Sequence, residues 1–282
     1  MAGGAVLLRW HGDPVVLVGL GTLAVGFAWA AQRVTQRGGT IDRSRRCWVG
    51  AALGCLVVAL CSPLAAVSEE RFAVHMVQHL VLTYLAAPLL ALAAPVTLAL
   101  QAVGPGRARR RILAMLHSRV VRVVAHPVVA WLVFAAVMYA THFSSLYEAS
   151  LEQPLVHGVE HLLYLGAAVL FWWPVVRRDP VPGSFPWPAR LLYLLLAMPL
   201  QSLLGVAIFS SDEPLYPHYV GTLGRAGAVA DQQLAGAIMW VGGDVLMLLA
   251  IGLAIAAWMR HEARATVRLD AQLDAARVRP AG

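Results

Sequence analysis

Seven apolar runs, each long enough to cross a bilayer, constrain this chain most: about 14–32, 47–67, 72–94, 121–142, 153–176, 190–209 and 232–258. A spanning helix needs roughly 20 mainly apolar residues, because hydrocarbon offers backbone amides and carbonyls no partner outside the helix. The expected class is therefore all-α, a polytopic membrane protein. Residues 1–259 form a seven-transmembrane-helix bundle, and 260–282 an amphipathic cytoplasmic tail on the inner leaflet. The third run extends towards Leu100, and Pro88 and Pro95 predict bends in it. Only 13% of the 282 residues are charged and the mean hydropathy is +0.68, against roughly 25% charged in an ordinary soluble domain. The first run is too long for the apolar core of a secretory leader and is followed by five arginines, so it reads as a retained span.

Orientation follows from where the arginines fall, since short cytoplasmic loops collect basic residues. With the spans above, nineteen of the 22 lie on one side, in the loops around 33–46, 107–122 and 177–190 and in the tail. The other side holds Arg9, Arg71 and Arg225, with Glu69, Glu70, Glu148, Glu152, Asp212 and Glu213. The amino terminus is thus expected outside and the carboxyl terminus in the cytoplasm, in a multi-pass plasma-membrane protein. The net charge of +7 is spread over short loops rather than one basic domain, so no nucleic-acid partner is implied. The three cysteines, Cys47, Cys55 and Cys61, are an odd number within one expected helix and imply no disulfide framework. The longest outer loop, about 210–231, is rich in Pro, Gly and Tyr and suits a lid. Gly19, Ala24, Gly26 and Ala28 give the first span a small-residue face that leaves a homodimer open. No internal repeat supports an inverted-repeat transporter.

That orientation sorts the ten histidines. Seven fall on the outer side: His11, His75, His79, His142, His157, His161 and His218. Four of these form two identical spacings, His75-Met-Val-Gln-His79 opening span three and His157-Gly-Val-Glu-His161 opening span five. An i, i+4 spacing sets both imidazoles on one helix face, about 6 Å apart, where one metal ion can bridge two turns. Spans three and five run the same way, so the pairs can face each other at one depth, with His142 level with them at the end of span four. Ionisable groups inside a membrane are costly and normally face the bundle interior for a reason. Glu160 suits a ligand or a partner that orients a histidine, and Met239 and Met76 are soft thioethers near the same level. Asp231 and Gln232 read as the start of span seven, with Asp231 as its cap or as a ligand. Asp244, deep in that span, requires a partner or a proton. Imidazoles suit zinc, copper and iron; nearby methionine favours copper, and facing histidine pairs also leave haem open. The HGVEH run matches the inverted zinc-peptidase pattern, but that pattern is short and no clear acidic third ligand follows except Asp231.

Three ordered blocks carry a resemblance: HMVQHLVLTYLAAPLLALAAP at 75–95, THFSSLYEASLEQPLVHGVEHLLYLGAAVLFWWP at 141–174, and DQQLAGAIMWVGGD at 231–244. With them the chain resembles the integral-membrane CtaG-type cytochrome c oxidase assembly factors, which differ from the single-span copper chaperones sharing the name. The resemblance covers spans three to seven and implies a non-enzymatic role in maturing the haem–copper oxidase. It implies copper bound on the outer side, received from an outer-side copper carrier and placed in the oxidase's catalytic subunit. The matched polar positions are His75, His79, His142, His157, Glu160, His161, Asp231, Gln232 and Met239. Two other readings compete with this metallochaperone: a haem-binding membrane protein, and a permease for copper or another small solute. The permease needs a polar path inward, where only Asp244, Gln201 and a few hydroxyls are visible.

Overall fold

The computed structural model of the chain describes residues 10, 12–181 and 183–278; Arg9, His11 and Arg279 lie outside the described residues. The protein is 84% helix, with no strand among those residues. In chain order the helices are α1 Pro14–Gln36, α2 Arg43–Leu60, α3 Pro63–Ser68 and α4 Phe72–Leu80. After a π-helical turn, Val81–Ala86, come α5 Ala87–Ala93, α6 Pro95–Val103, α7 Arg107–Leu116 and α8 Arg119–Val124. The second half holds α9 Pro127–His142, α10 Ser145–Glu152, α11 Pro154–Val176, α12 Trp187–Phe209 and α13 Pro217–Ala237; a second π-helical turn, Ile238–Gly242, leads into α14 Gly243–Val278.

Among the described residues, five helical stretches are long and apolar enough to cross a membrane, and a sixth joins them if α9 and α10, bent by 68°, form one span. The expected second span behaves differently. Helix α2 has 18 residues, begins with Arg43, Arg45 and Arg46, and stops at Leu60 rather than near residue 67. The Ser62 hydroxyl accepts from the Leu64 amide and starts the separate helix α3. Outward faces are apolar: Val18, Leu162, Leu203 and Leu253 are 69, 62, 64 and 70% exposed. Such a surface would drive association in water and suits hydrocarbon.

The stretch from α4 to α5 lies at the centre, packed against α2, α11 and α13, whereas α1 touches the rest mainly through α6. Pro95 breaks the stretch as its sequence predicts: Ala94 takes a left-handed conformation (φ 52°), and α6 restarts beyond it. The buried Asp179 carboxylate caps α6, accepting from the amides of Val96 (3.1 Å) and Thr97 (2.6 Å). Pro88 acts differently. In the π-helical turn the Ala87 amide bonds back to the Leu82 carbonyl, so the Thr83 carbonyl would next face residue 88, a proline with no N–H. The Trp172 indole donates to that carbonyl instead, at 2.8 Å, and ties α11 to the centre.

The expected outer loop 210–231 is shorter than its sequence suggests. Helix α13 starts at Pro217, whose missing N–H costs nothing in a first turn, and is kinked at Gly224 (φ 71°). Asp231 and Gln232 therefore stand inside a helix and do not cap the last span. Gln232 secures the remaining loop, accepting from the Leu215 amide (2.7 Å) and donating to the Glu213 carbonyl (3.1 Å). Helices α12 and α13 meet backbone to backbone: a Cβ on Gly236 would lie 2.5 Å from the Phe209 nitrogen and 2.7 Å from the Gly205 oxygen. Asp244 has its partner in the Ser202 hydroxyl, at 2.9 and 3.0 Å from its two oxygens. The described part of the tail continues α14 unbroken to Val278 rather than forming a separate helix.

Candidate metal centre

Helix α4 carries His75 and His79 one turn apart, and both are buried. Their Nε2 atoms approach to 2.8 Å and their rings to 4.2 Å. Two nitrogens ligating one ion at about 2.0 Å and a tetrahedral angle stand about 3.3 Å apart, so this pair is close to a ligating arrangement. Helix α11 brings Glu160, 1% exposed, beside them; one donor atom from each of His75, His79 and Glu160 lies within 4.8 Å of the others. His157 and His161, on the same helix, have ring centroids 4.3 Å apart, and His75 lies 5.8 Å from His157 and 6.4 Å from His161. His142, from the end of α9, is 6.1 Å from His79.

The hydrogen bonds around His142 define its tautomer. Its Nδ1 sits 2.7 Å from the Met138 carbonyl, a group that can only accept, so Nδ1 carries the proton. Nε2 is then a bare lone pair, buried without a partner. The Nδ1 atoms of His75 and His79, Nε2 of His161 and both Glu160 oxygens are likewise buried without hydrogen-bond partners. Each such group costs roughly 1–3 kcal/mol when nothing satisfies it. Buried polar groups are normally partnered, so a cluster of them in one place is where a ligand could be held.

Aromatic residues close the layer. The Tyr164 ring stacks on His79 at 4.0 Å and its hydroxyl meets Thr141 and His142. Tyr147 stands edge-on to His75 at 5.0 Å, and its hydroxyl pairs with that of Tyr219 at 2.9 Å. Tyr216 donates to the His142 carbonyl and packs on Phe72 and Tyr147. The sequence reading overlooked these tyrosines. Tyr164 had a signal, since it follows His161 by three residues on the same helical face.

Two of the expected site residues have other occupations. One oxygen of the buried Asp231 accepts from the amides of Phe72 (2.6 Å) and Ala73 (3.3 Å), so its carboxylate caps α4, the helix that carries His75 and His79. Met239 lies in the second π-helical turn, packed in the hydrophobic core with Met76 and Phe72, and its carbonyl accepts from the Gln201 amide. His218, the other described histidine of the expected outer side, reaches the Glu69 carbonyl with its ring while its backbone amide donates to Glu148.

Fold and site together define a helical membrane protein with a buried layer of histidines and one carboxylate. The signature of the cytochrome c oxidase caa3 assembly factor (Caa3_CtaG) family matches residues 25–261, and the chain belongs to that family. Similar curated proteins are uncharacterized proteins of Mycobacterium bovis and Mycobacterium tuberculosis, each 29% identical over 281 residues, covering 95% of this chain and 42% of theirs. An uncharacterized protein of Mycobacterium leprae is 28% identical over 276 residues, with 94% and 42% covered. The chain thus spans about two fifths of the length of the curated relatives it matches. No solved structure matches it.

Proposed function

We propose that this chain is a seven-span oxidase assembly factor that takes up copper in its outer histidine layer and passes it to the catalytic subunit of a haem–copper oxidase. The observation that carries the reading is the converging, buried donor set of His75, His79 and Glu160. Family membership supports an oxidase as the partner, and the asymmetric arginines support a topology with the amino terminus outside and the tail in the cytoplasm. An assembly role of this kind is non-catalytic: the residues hold and release a cargo.

The cage favours a monovalent ion by charge. An ion in a dry pocket needs its charge balanced nearby. Glu160 offers one negative charge, whereas Asp231 is engaged with the amides of α4. Cu(I) with Glu160 is neutral; a divalent ion would leave a buried positive charge. His142, fixed by Met138 with Nε2 bare, is placed to add a fourth donor. Tyr147, Tyr164, Tyr216 and Phe72 keep water out. Ring separations of 4.2–6.4 Å, with Tyr164 stacked on His79, suit an ion better than a planar haem.

Purified protein loaded with Cu(I) and then desalted should retain copper, and the folded His75→Ala/His79→Ala double variant should lose it. Wild-type protein that is intact by size exclusion yet retains no copper refutes the proposal.

A further inference from the structure

The histidine layer holds more donors than one ion uses. His75, His79, His142, His157, His161 and Glu160 make six groups, whereas a closed copper or zinc site takes about four. Geometry divides them. Two imidazoles that share an ion at about 2.0 Å have ring centroids at most about 6.4 Å apart, and only when the ion lies on the line between them. His161 stands 6.4 Å from His75 and 6.3 Å from His79, at that limit for both. One ion cannot lie on both lines, because His75 and His79 are themselves 4.2 Å apart. His161 is therefore outside the inner cage. It has its own neighbour in His157, 4.3 Å away and one turn nearer the start of α11, and its Nε2 is buried without a partner.

Resting on the copper reading above, we infer that the layer provides two metal positions: the inner cage of His75, His79 and Glu160, and a second position on His157 and His161. His157 is half-buried, whereas His161 and every member of the cage are buried, so an arriving ion meets His157 first. The His75 ring, stacked on His157 at 5.8 Å, is the next donor inward. The second position rests on two imidazoles, one of them only half-buried, and binds its ion more weakly than the cage, as a transfer step requires.

The full-length protein, purified in detergent, is titrated with Cu(I) under reducing conditions, and retained copper is measured by elemental analysis against protein concentration. The wild type should saturate at about two ions per chain, in a tight and a weak step. His157→Ala/His161→Ala should saturate at about one, keeping the tight step, and His157→Gln, with an unchanged melting temperature, should weaken the second step alone. A wild-type plateau at about one ion overturns the second position and leaves the single-site reading standing. No retained copper overturns both. Two ions retained by His157→Ala/His161→Ala overturn the assignment of the position to that pair.

Discussion

Substituting Asp231 by alanine and by asparagine separates capping from ligation. Its carboxylate accepts two buried amides at the start of α4, one of them at 2.6 Å. A hydrogen bond to a charged group contributes about 1.5–3 kcal/mol, and replacing a helix-capping acceptor by alanine costs about 0.5–2 kcal/mol. Asp231→Ala should therefore cost about 2 kcal/mol. At about 2–4 °C per kcal/mol for a chain near this size, its melting temperature should fall by about 4–8 °C. Copper retention should fall with it, because the first turn of α4 positions His75. Asparagine keeps an acceptor oxygen and caps helices as well as aspartate does. Asp231→Asn should thus stay within about 1 kcal/mol of wild type and keep its copper. Thermal unfolding in detergent, followed with and without Cu(I), measures both quantities. An asparagine variant that keeps its melting temperature but loses copper refutes the reasoning that Asp231 serves only as a cap and makes it a ligand.

Two further substitutions test the packing that holds the site. Trp172→Phe removes the only donor described for the Thr83 carbonyl and should cost about 1–3 kcal/mol in thermal unfolding; unchanged stability would show that the carbonyl finds another partner. Gly236→Ala forces a Cβ against the backbone of α12 and should cost about 1–3 kcal/mol, while Gly21→Ala, with nothing within 4 Å, should be neutral or slightly stabilising. Equal stability of the two glycine variants would refute the close approach of α12 and α13.

The helices and the pairing of the histidines were legible because both rest on local periodicity. Apolar runs mark spans, and i, i+4 spacing sets His75 with His79 and His157 with His161 on single faces. What escaped the sequence lies between distant residues. Asp231 looked like the cap of the last span because charge before an apolar run usually marks a boundary. Its partner amides are 158 and 159 residues away, and no local pattern announces them. The run around Tyr216–Gly224 read as a loop from its Pro, Gly and Tyr content, yet Pro217 opens a helix and only Gly224 departs from it. The short α2 and the bend after His142 show the same limit: composition sees apolar length but not where Ser62 or Ser144 caps a new helix.

The π-helical turn that begins two residues after His79 has a consequence for register. Each residue advances an α-helix by about 100°, and a π turn absorbs one extra residue before the regular winding resumes. The half of the stretch that presents His75 and His79 is thereby set out of phase with the half that packs through Ala87 and Ala91. The two faces answer to separate demands: one aims imidazoles at Glu160, the other fits α2 and α11. Deleting a single residue between Val81 and Ala86 would give a more regular helix and a worse protein. It would bring the two halves back into phase, turning the histidines away from the carboxylate or the alanines away from their neighbours.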